Sequence, residues 1–299
     1  TRAIASDALL SSLILSNGTL APVFDSSTSS YTASVDNTIA SVTLTPTLIQ
    51  GNAPIAINGN PVVSGSASDP VNLDVGDNLI TIVVIAPDGT TTYTLKVTRA
   101  ASTDAKLSSL IVSSGILTPS FDAGITSYTD SVENATTSIT VTPTLNQANA
   151  TVMVNGTTVN SGTTSGAINL AVGDNTITAV VTAQDGSTNK SYITTVTRAA
   201  ATDTIAFNSL ANATYGDPPI TLSASSNNTD AGAKISYRSD NTSVVTVSGN
   251  MMTVVGAGTA NITASQDATA NFKTAPEVSQ PVTVNKANLT ITANDQSKL

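Results

Sequence analysis

The chain has 299 residues, 40% apolar and 10% charged, and Lys+Arg 11 against Asp+Glu 20 leaves a net charge of −9, the wrong sign for neutralising phosphates, so no nucleic-acid partner is expected. No apolar run approaches the ~20 residues of a membrane helix, so no membrane insertion is expected. Cysteine and histidine are both absent, which excludes disulfides and thiolate metal sites and removes the commonest general base.

The length suggests two or three domains. Thr1-Arg2 reads as the end of a last strand, so residues 1–4 are expected to be the tail of a preceding domain. Residues 5–100 then carry short strands with turn signals every ~8–12 residues and no helical period, the pattern of a sandwich. In the penultimate strand Ile80, Ile82 and Val84 should point inward, while Leu79, Thr81, Val83 and Ile85 should line a wetter face. Asp88-Gly89 is predicted to make the tight hairpin, with positive φ at both central residues of a type I′ turn. Tyr93, Leu95 and Val97 return on the last strand, which ends in Thr98-Arg99.

Residues 101–200 repeat this plan. Leu10-Ser11-Ser12-Leu13 recurs as Leu107-Ser108-Ser109-Leu110, an offset of 97 that also carries Phe24 onto Phe121, Tyr31 onto Tyr128, Pro46 onto Pro143 and Asn58-Gly59 onto Asn155-Gly156. Beyond Asp185-Gly186 the offset is 99, since Tyr93 matches Tyr192 and Arg99 matches Arg198; the second copy has two extra residues at that turn. In residues 201–286 the pattern changes to strands split by Ser248-Gly249-Asn250 and Gly256-Ala257-Gly258, a third sandwich with different turns. Residues 287–299 are expected to start a following domain, with a strand over Ala287–Thr292.

With LSSLILSNGTLAPVF, SSYTASV, TPT, INGNPVVSG, VGDN and APDGTTTYTLKVTR in order, residues 5–100 resemble the cadherin-like β-sandwich repeats of bacterial surface proteins, and residues 102–199 resemble them equally. Residues 204–286 are similar to a bacterial immunoglobulin-like domain of the group-2 kind through Ser239–Val244, Val247-Ser248-Gly249 and Gly256–Thr259. Asn285–Thr292 resembles the joint before MBG-type surface repeats. The resemblance implies a large exported bacterial protein at the cell surface whose repeats space or adhere, and it implies no reaction.

The residues agree. Asp7, Asp25, Asp36, Asp77 and Asp88 recur as Asp104, Asp122, Glu133, Asp174 and Asp185 in turns and joints, which suits turn formers better than a catalytic pair. No Asp-x-Asp-x-Asp-Gly loop is present for calcium. Phe24/Phe121, Tyr31/Tyr128 and Tyr93/Tyr192 are read as scaffold, leaving Phe207, Tyr215, Tyr237 and Phe272 as aromatics that could face a ligand. Lys96 could suit an isopeptide bond, but its counterpart Thr195 argues for a solvated lysine. The joints Thr1–Asp7, Thr98–Asp104 and Thr197–Asp203 share one plan, from which a semi-rigid linker is expected, with Arg99 or Arg198 reaching a carboxylate or carbonyl of the following domain, Asp104 and Asp203 among them.

The expectation is therefore all-β: tandem immunoglobulin-like and cadherin-like antiparallel sandwiches forming a non-catalytic stalk of an extracellular bacterial surface protein. No catalytic, cofactor-binding or metal-binding residue is assigned, and no cofactor is expected. Its partners are the neighbouring domains of the same long polypeptide. The alternatives are an adhesin whose third domain binds a glycan or protein ligand, and a self-associating extracellular fibre or sheath.

Overall fold

The computed structural model describes residues 8–87 and 89–292. The expected tail at 1–4, the first joint at Thr1–Asp7, Asp88 of the first hairpin and the last seven residues lie outside the described residues.

The first repeat forms β1 (Leu10–Leu15), β2 (Ser30–Val35), β3 (Ser41–Val42), β4 (Leu44–Leu48), β5 (Ile55–Ile57), β6 (Asn60–Val62), β7 (Val71–Asn72), β8 (Gly76–Ala86) and β9 (Gly89–Arg99). One sheet runs β2-β9-β8-β5-β6, and the pairs β1-β4 and β3-β7 complete the sandwich. The period of two sets the faces: Ile80, Ile82 and Val84 are at most 1% exposed, whereas Leu79 is 66% exposed. With Leu10, Leu44, Ile57, Leu95 and Val97 they fill one core, each large aliphatic worth roughly 1.5–3 kcal/mol of burial. The doubled serine of Leu10-Ser11-Ser12-Leu13 has a structural reason, since the β1–β4 register shifts between Leu10 and Ser12, and Ser11 Oγ lies 3.1 Å from the Thr47 and Leu48 carbonyls.

The second repeat reproduces this as β10 (Leu107–Val112), β11 (Ser127–Val132), β12 (Ser138–Ile139), β13 (Val141–Leu145), β14 (Thr151–Val154), β15 (Thr157–Val159), β16 (Ile168–Asn169), β17 (Gly173–Thr182) and β18 (Asn189–Arg198). Its sheet order, β11-β18-β17-β14-β15, and the bulge between Leu107 and Ser109 match the first repeat.

Two expectations are corrected. The sandwiches are mixed, not purely antiparallel, because β2 runs parallel to β9 and β11 parallel to β18. Gly89 is not a central residue of the first turn. It pairs with Ala86 and opens β9, and the Pro87 ring holds φ near −65° where a type I′ turn needs it positive.

The third unit contains β19 (Ile205–Phe207), β20 (Ala213–Thr214), β21 (Ile220–Thr221), β22 (Ala224–Ser226), β23 (Ser236–Ser239), β24 (Val245–Ser248), β25 (Met251–Val254), β26 (Gly258–Ser265) and β27 (Val278–Asn285). Sheets β20-β27-β26-β23 and β21-β25-β24, with the pair β19-β22, enclose a core around Val245, Met252, Ile262 and Val282. Gly249, at φ +61°, turns β24 into β25 as expected of Ser248-Gly249-Asn250. The strand expected over Ala287–Thr292 does not form: Leu289 and Ile291 are 84% and 82% exposed and their backbone finds no partner strand among the described residues.

Candidate functional site: the joints between sandwiches

The two described joints are built alike up to the arginine. Arg99 donates through Nε and Nη2 to the Asn37 carbonyl at 3.0 and 2.7 Å, and through Nη1 to the Leu73 carbonyl at 2.8 Å. Arg198 does the same to Asn134 and Leu170 at 2.6–2.9 Å. The expectation that these arginines reach into the following domain is therefore wrong. Each guanidinium braces loop carbonyls of its own repeat, because five fixed donors match two converging carbonyls better than one solvated carboxylate. Asp104 instead accepts from Lys106 N at 3.0 Å and Asn146 Nδ2 at 2.6 Å, and Asp203 is fully buried with Oδ2 3.4 Å from Asn228 Nδ2.

Other residues hold the linker from either side, and Asn37 and Gln184 meet across the first joint. Asn37 and Asn134 donate through Nδ2 to the linker carbonyls of Ala100 and Ala199, each at 3.0 Å. At the first joint Gln184, on the β17–β18 loop, accepts through Oε1 from the buried linker amide of Ser102 at 3.1 Å and from Asn37 Nδ2 at 3.4 Å. Asp185 N donates to the Ser102 carbonyl at 3.2 Å. At the second joint Ala201 bonds in both directions with the β26–β27 loop, through Asn271 O and Lys273 N, each at 2.8 Å. In each case the last hairpin of the following sandwich grips the linker.

The loop that carries Gln184 is the one with two extra residues. Asp185 holds it closed, accepting from Thr188 and Ser187; these bonds pull its carboxyl down to about 2. Sequence reasoning read the insertion only as a tolerated turn change and missed Gln184 and the Asn37/Asn134 pair, although the shared offset of 97 and the insertion were both visible.

Asp25, Asp36 and Asp122 cap backbone amides two residues on, as turn formers do, and the Thr38 amide and hydroxyl lower the Asp36 carboxyl. Tyr31, Tyr93, Tyr128 and Tyr192 are buried, with Phe24 and Phe121 packed beside them. Phe207 and Tyr237 meet edge to face at 5.6 Å, Phe272 bridges to Ala201 at the second joint, and Tyr215 is 53% exposed. Lys96 makes a solvent-exposed ion pair with Asp77 at 3.1 Å.

The cadherin-like beta sandwich domain model matches residues 10–100 and 106–199, more than half of the chain. The chain belongs to the cadherin-like β-sandwich family. Domains of this family are typically extracellular modules without catalysis. Over 88 residues the chain is 48% identical to a curated protein of Evansella cellulosilytica named "Putative membrane protein"; the match covers 29% of this chain and 13% of that protein. Among solved structures, Drosophila N-cadherin EC1-3 aligns over 86% of this chain and 98% of its own at 8% identity and a TM-score of 0.34. The immunoglobulin domains 1–5 of Sidekick-1 align over 92% and 61% at 8% identity and a TM-score of 0.31.

Proposed function

We propose that the chain is a non-catalytic segment of a bacterial cell-surface stalk, spacing or presenting a binding region, in which hydrogen-bonded joints transmit orientation from one sandwich to the next. The observation that carries this reading is that each linker is held from both sides: at the first joint by Asn37 on Ala100 and by Gln184 and Asp185 on Ser102, with Asn37 and Gln184 themselves meeting at 3.4 Å, and at the second by Asn134 on Ala199 and by Asn271 and Lys273 on Ala201. A flexible tether would leave those backbone groups to water. Partners under this reading are the neighbouring domains of the same polypeptide, with the domains divided at 5–100, 101–200 and 201–286. The sandwich of β19–β27 is compatible with a group-2-type immunoglobulin-like reading for the last of these, and the reading of the residues after 286 as the start of an MBG-type repeat rests on the sequence of 285–292 alone. Small-angle scattering of the whole chain is the test. A narrow, extended pair-distance distribution is expected, and a broad one that fits freely jointed beads contradicts the stalk reading.

A further inference from the structure

We propose that the third sandwich closes an internal ester bond, joining Thr269 Oγ1 to the side-chain carbonyl carbon of Asn228 and releasing ammonia. Asn228 follows β22 and Thr269 lies in the β26–β27 loop, 41 residues apart in sequence. Thr269 Oγ1 lies 3.2 Å from Asn228 Nδ2 and 3.5 Å from Oδ1, so the covalent dimensions of an amide place the carbonyl carbon within ~4 Å of the hydroxyl oxygen. The surroundings supply each group that an acyl substitution needs. The hydroxyl donates to Asp230 Oδ2 at 2.6 Å, a carboxylate placed to take its proton. Asp230 is held in that orientation by Asn271, whose backbone N–H donates to Oδ2 at 2.8 Å and whose Nδ2 donates to Oδ1 at 2.7 Å. Asn228 Oδ1, where charge collects as the hydroxyl adds, already accepts the backbone N–H of Asp230 at 3.0 Å. On the far side the nitrogen that must leave faces Asp203 Oδ2 at 3.4 Å, and Asp203 is wholly buried with Oδ1 unpartnered.

The step balances within the chain. Thr269 gives its proton to Asp230 as the Oγ1–Cγ bond forms, and the carbonyl electron pair moves onto Oδ1. Collapse of that adduct breaks the Cγ–Nδ2 bond, and the nitrogen departs as ammonia with the proton from Asp230. The hydrogen bonds from Thr269 and Asn271 lower the Asp230 carboxyl, keeping it an acceptor at neutral pH. The ester would tie the loop after β22 to the loop that grips Ala201, reinforcing the second joint covalently.

The test is the intact mass of the purified chain. The wild type is expected ~17 Da below its sequence mass, the loss of one ammonia on acyl transfer to a hydroxyl. Tryptic digestion should leave residues 199–234 and 239–273 as one linked peptide, since Lys234, Arg238 and Lys273 bound them. Thr269→Ala and Asp230→Asn should restore the full mass, while Thr269→Ser should keep the loss. A wild type at full sequence mass overturns the proposal. So does a deficit that survives Thr269→Ala, which would mark a succinimide elsewhere in the chain. Neither result depends on the stiffness of the joints, so this inference and the stalk reading fail separately.

Discussion

Replacing Arg99 by Ala removes three hydrogen bonds of 2.7–3.0 Å and leaves the carbonyls of Asn37 and Leu73 without their cationic donor. A hydrogen bond to a charged group contributes about 1.5–3 kcal/mol net. The guanidinium is only partly buried, so water can replace part of what is lost. Two of the bonds also share one acceptor, which makes their loss less than additive. A total near 2 kcal/mol follows, taken from the low end for the set as a whole. For a domain of this size each kcal/mol moves Tm by about 4–8 °C, so the first sandwich should melt about 8–16 °C lower. Arg99→Lys should recover little, since one ammonium cannot reproduce the fork on two carbonyls. Denaturant melts combined with peptide-resolved hydrogen exchange assign the loss to a sandwich. It should fall on residues 8–87 and leave 106–199 unchanged. A loss that fell instead on the second sandwich, or a change under ~0.5 kcal/mol of the kind seen at ordinary surface sites, would refute the bracing role.

Ile82→Ala should cost about 2–5 kcal/mol in denaturant unfolding, against under ~0.5 kcal/mol for Leu79→Ala on the outer face of the same strand; equal costs would mean the faces are misassigned. Gly115→Ala should destabilise the second sandwich by more than the ~1–2 kcal/mol of a left-handed alanine, because at φ +80° the new Cβ would also sit 1.8 Å from Asp130 Oδ1; a melt within 1 kcal/mol of wild type would contradict it. Asp185 has a folded-state pKa depressed from 3.8 to about 2, so its contribution is complete above pH ~4 and is lost as pH falls toward 2. NMR titration should give a midpoint near 2, with the Gln184 and Ser102 signals moving only below pH ~4; a midpoint near 4 would mean the capped loop is not formed.

The parts of the fold that were legible in the sequence rest on period and repetition. The alternation in β8 and β17 placed Ile80, Ile82 and Val84 against Ile177, Ala179 and Val181, all at most 2% exposed. Asn58-Gly59 and Asn155-Gly156 turn their hairpins with Asn at φ 46° in both copies. What escaped the sequence depends on register and long-range geometry. Gly89 pairs with Ala86 and opens β9 instead of standing in the turn. The parallel pairing of β2 with β9 is set by where the chain returns, not by any local motif. Arg99 carries no sign in sequence of whether its donors turn back or forward. The Asp130 carboxylate breaks the repeat, standing where Ala33 stands in the first copy, and its amide bonds to Ile116 and Ser131 show only in three dimensions.

The central claim, that the sandwiches are held at fixed orientation, is tested most directly by a distance distribution across the first joint. The natural absence of cysteine permits clean spin labelling of Asn60→Cys and Thr158→Cys, both exposed and one on each repeat. Pulsed dipolar spectroscopy should give a single narrow distance in the otherwise wild-type chain, and Gln184→Ala should broaden it by removing the bonds to Ser102 and Asn37. A distribution that is already broad before Gln184 is touched would contradict the account.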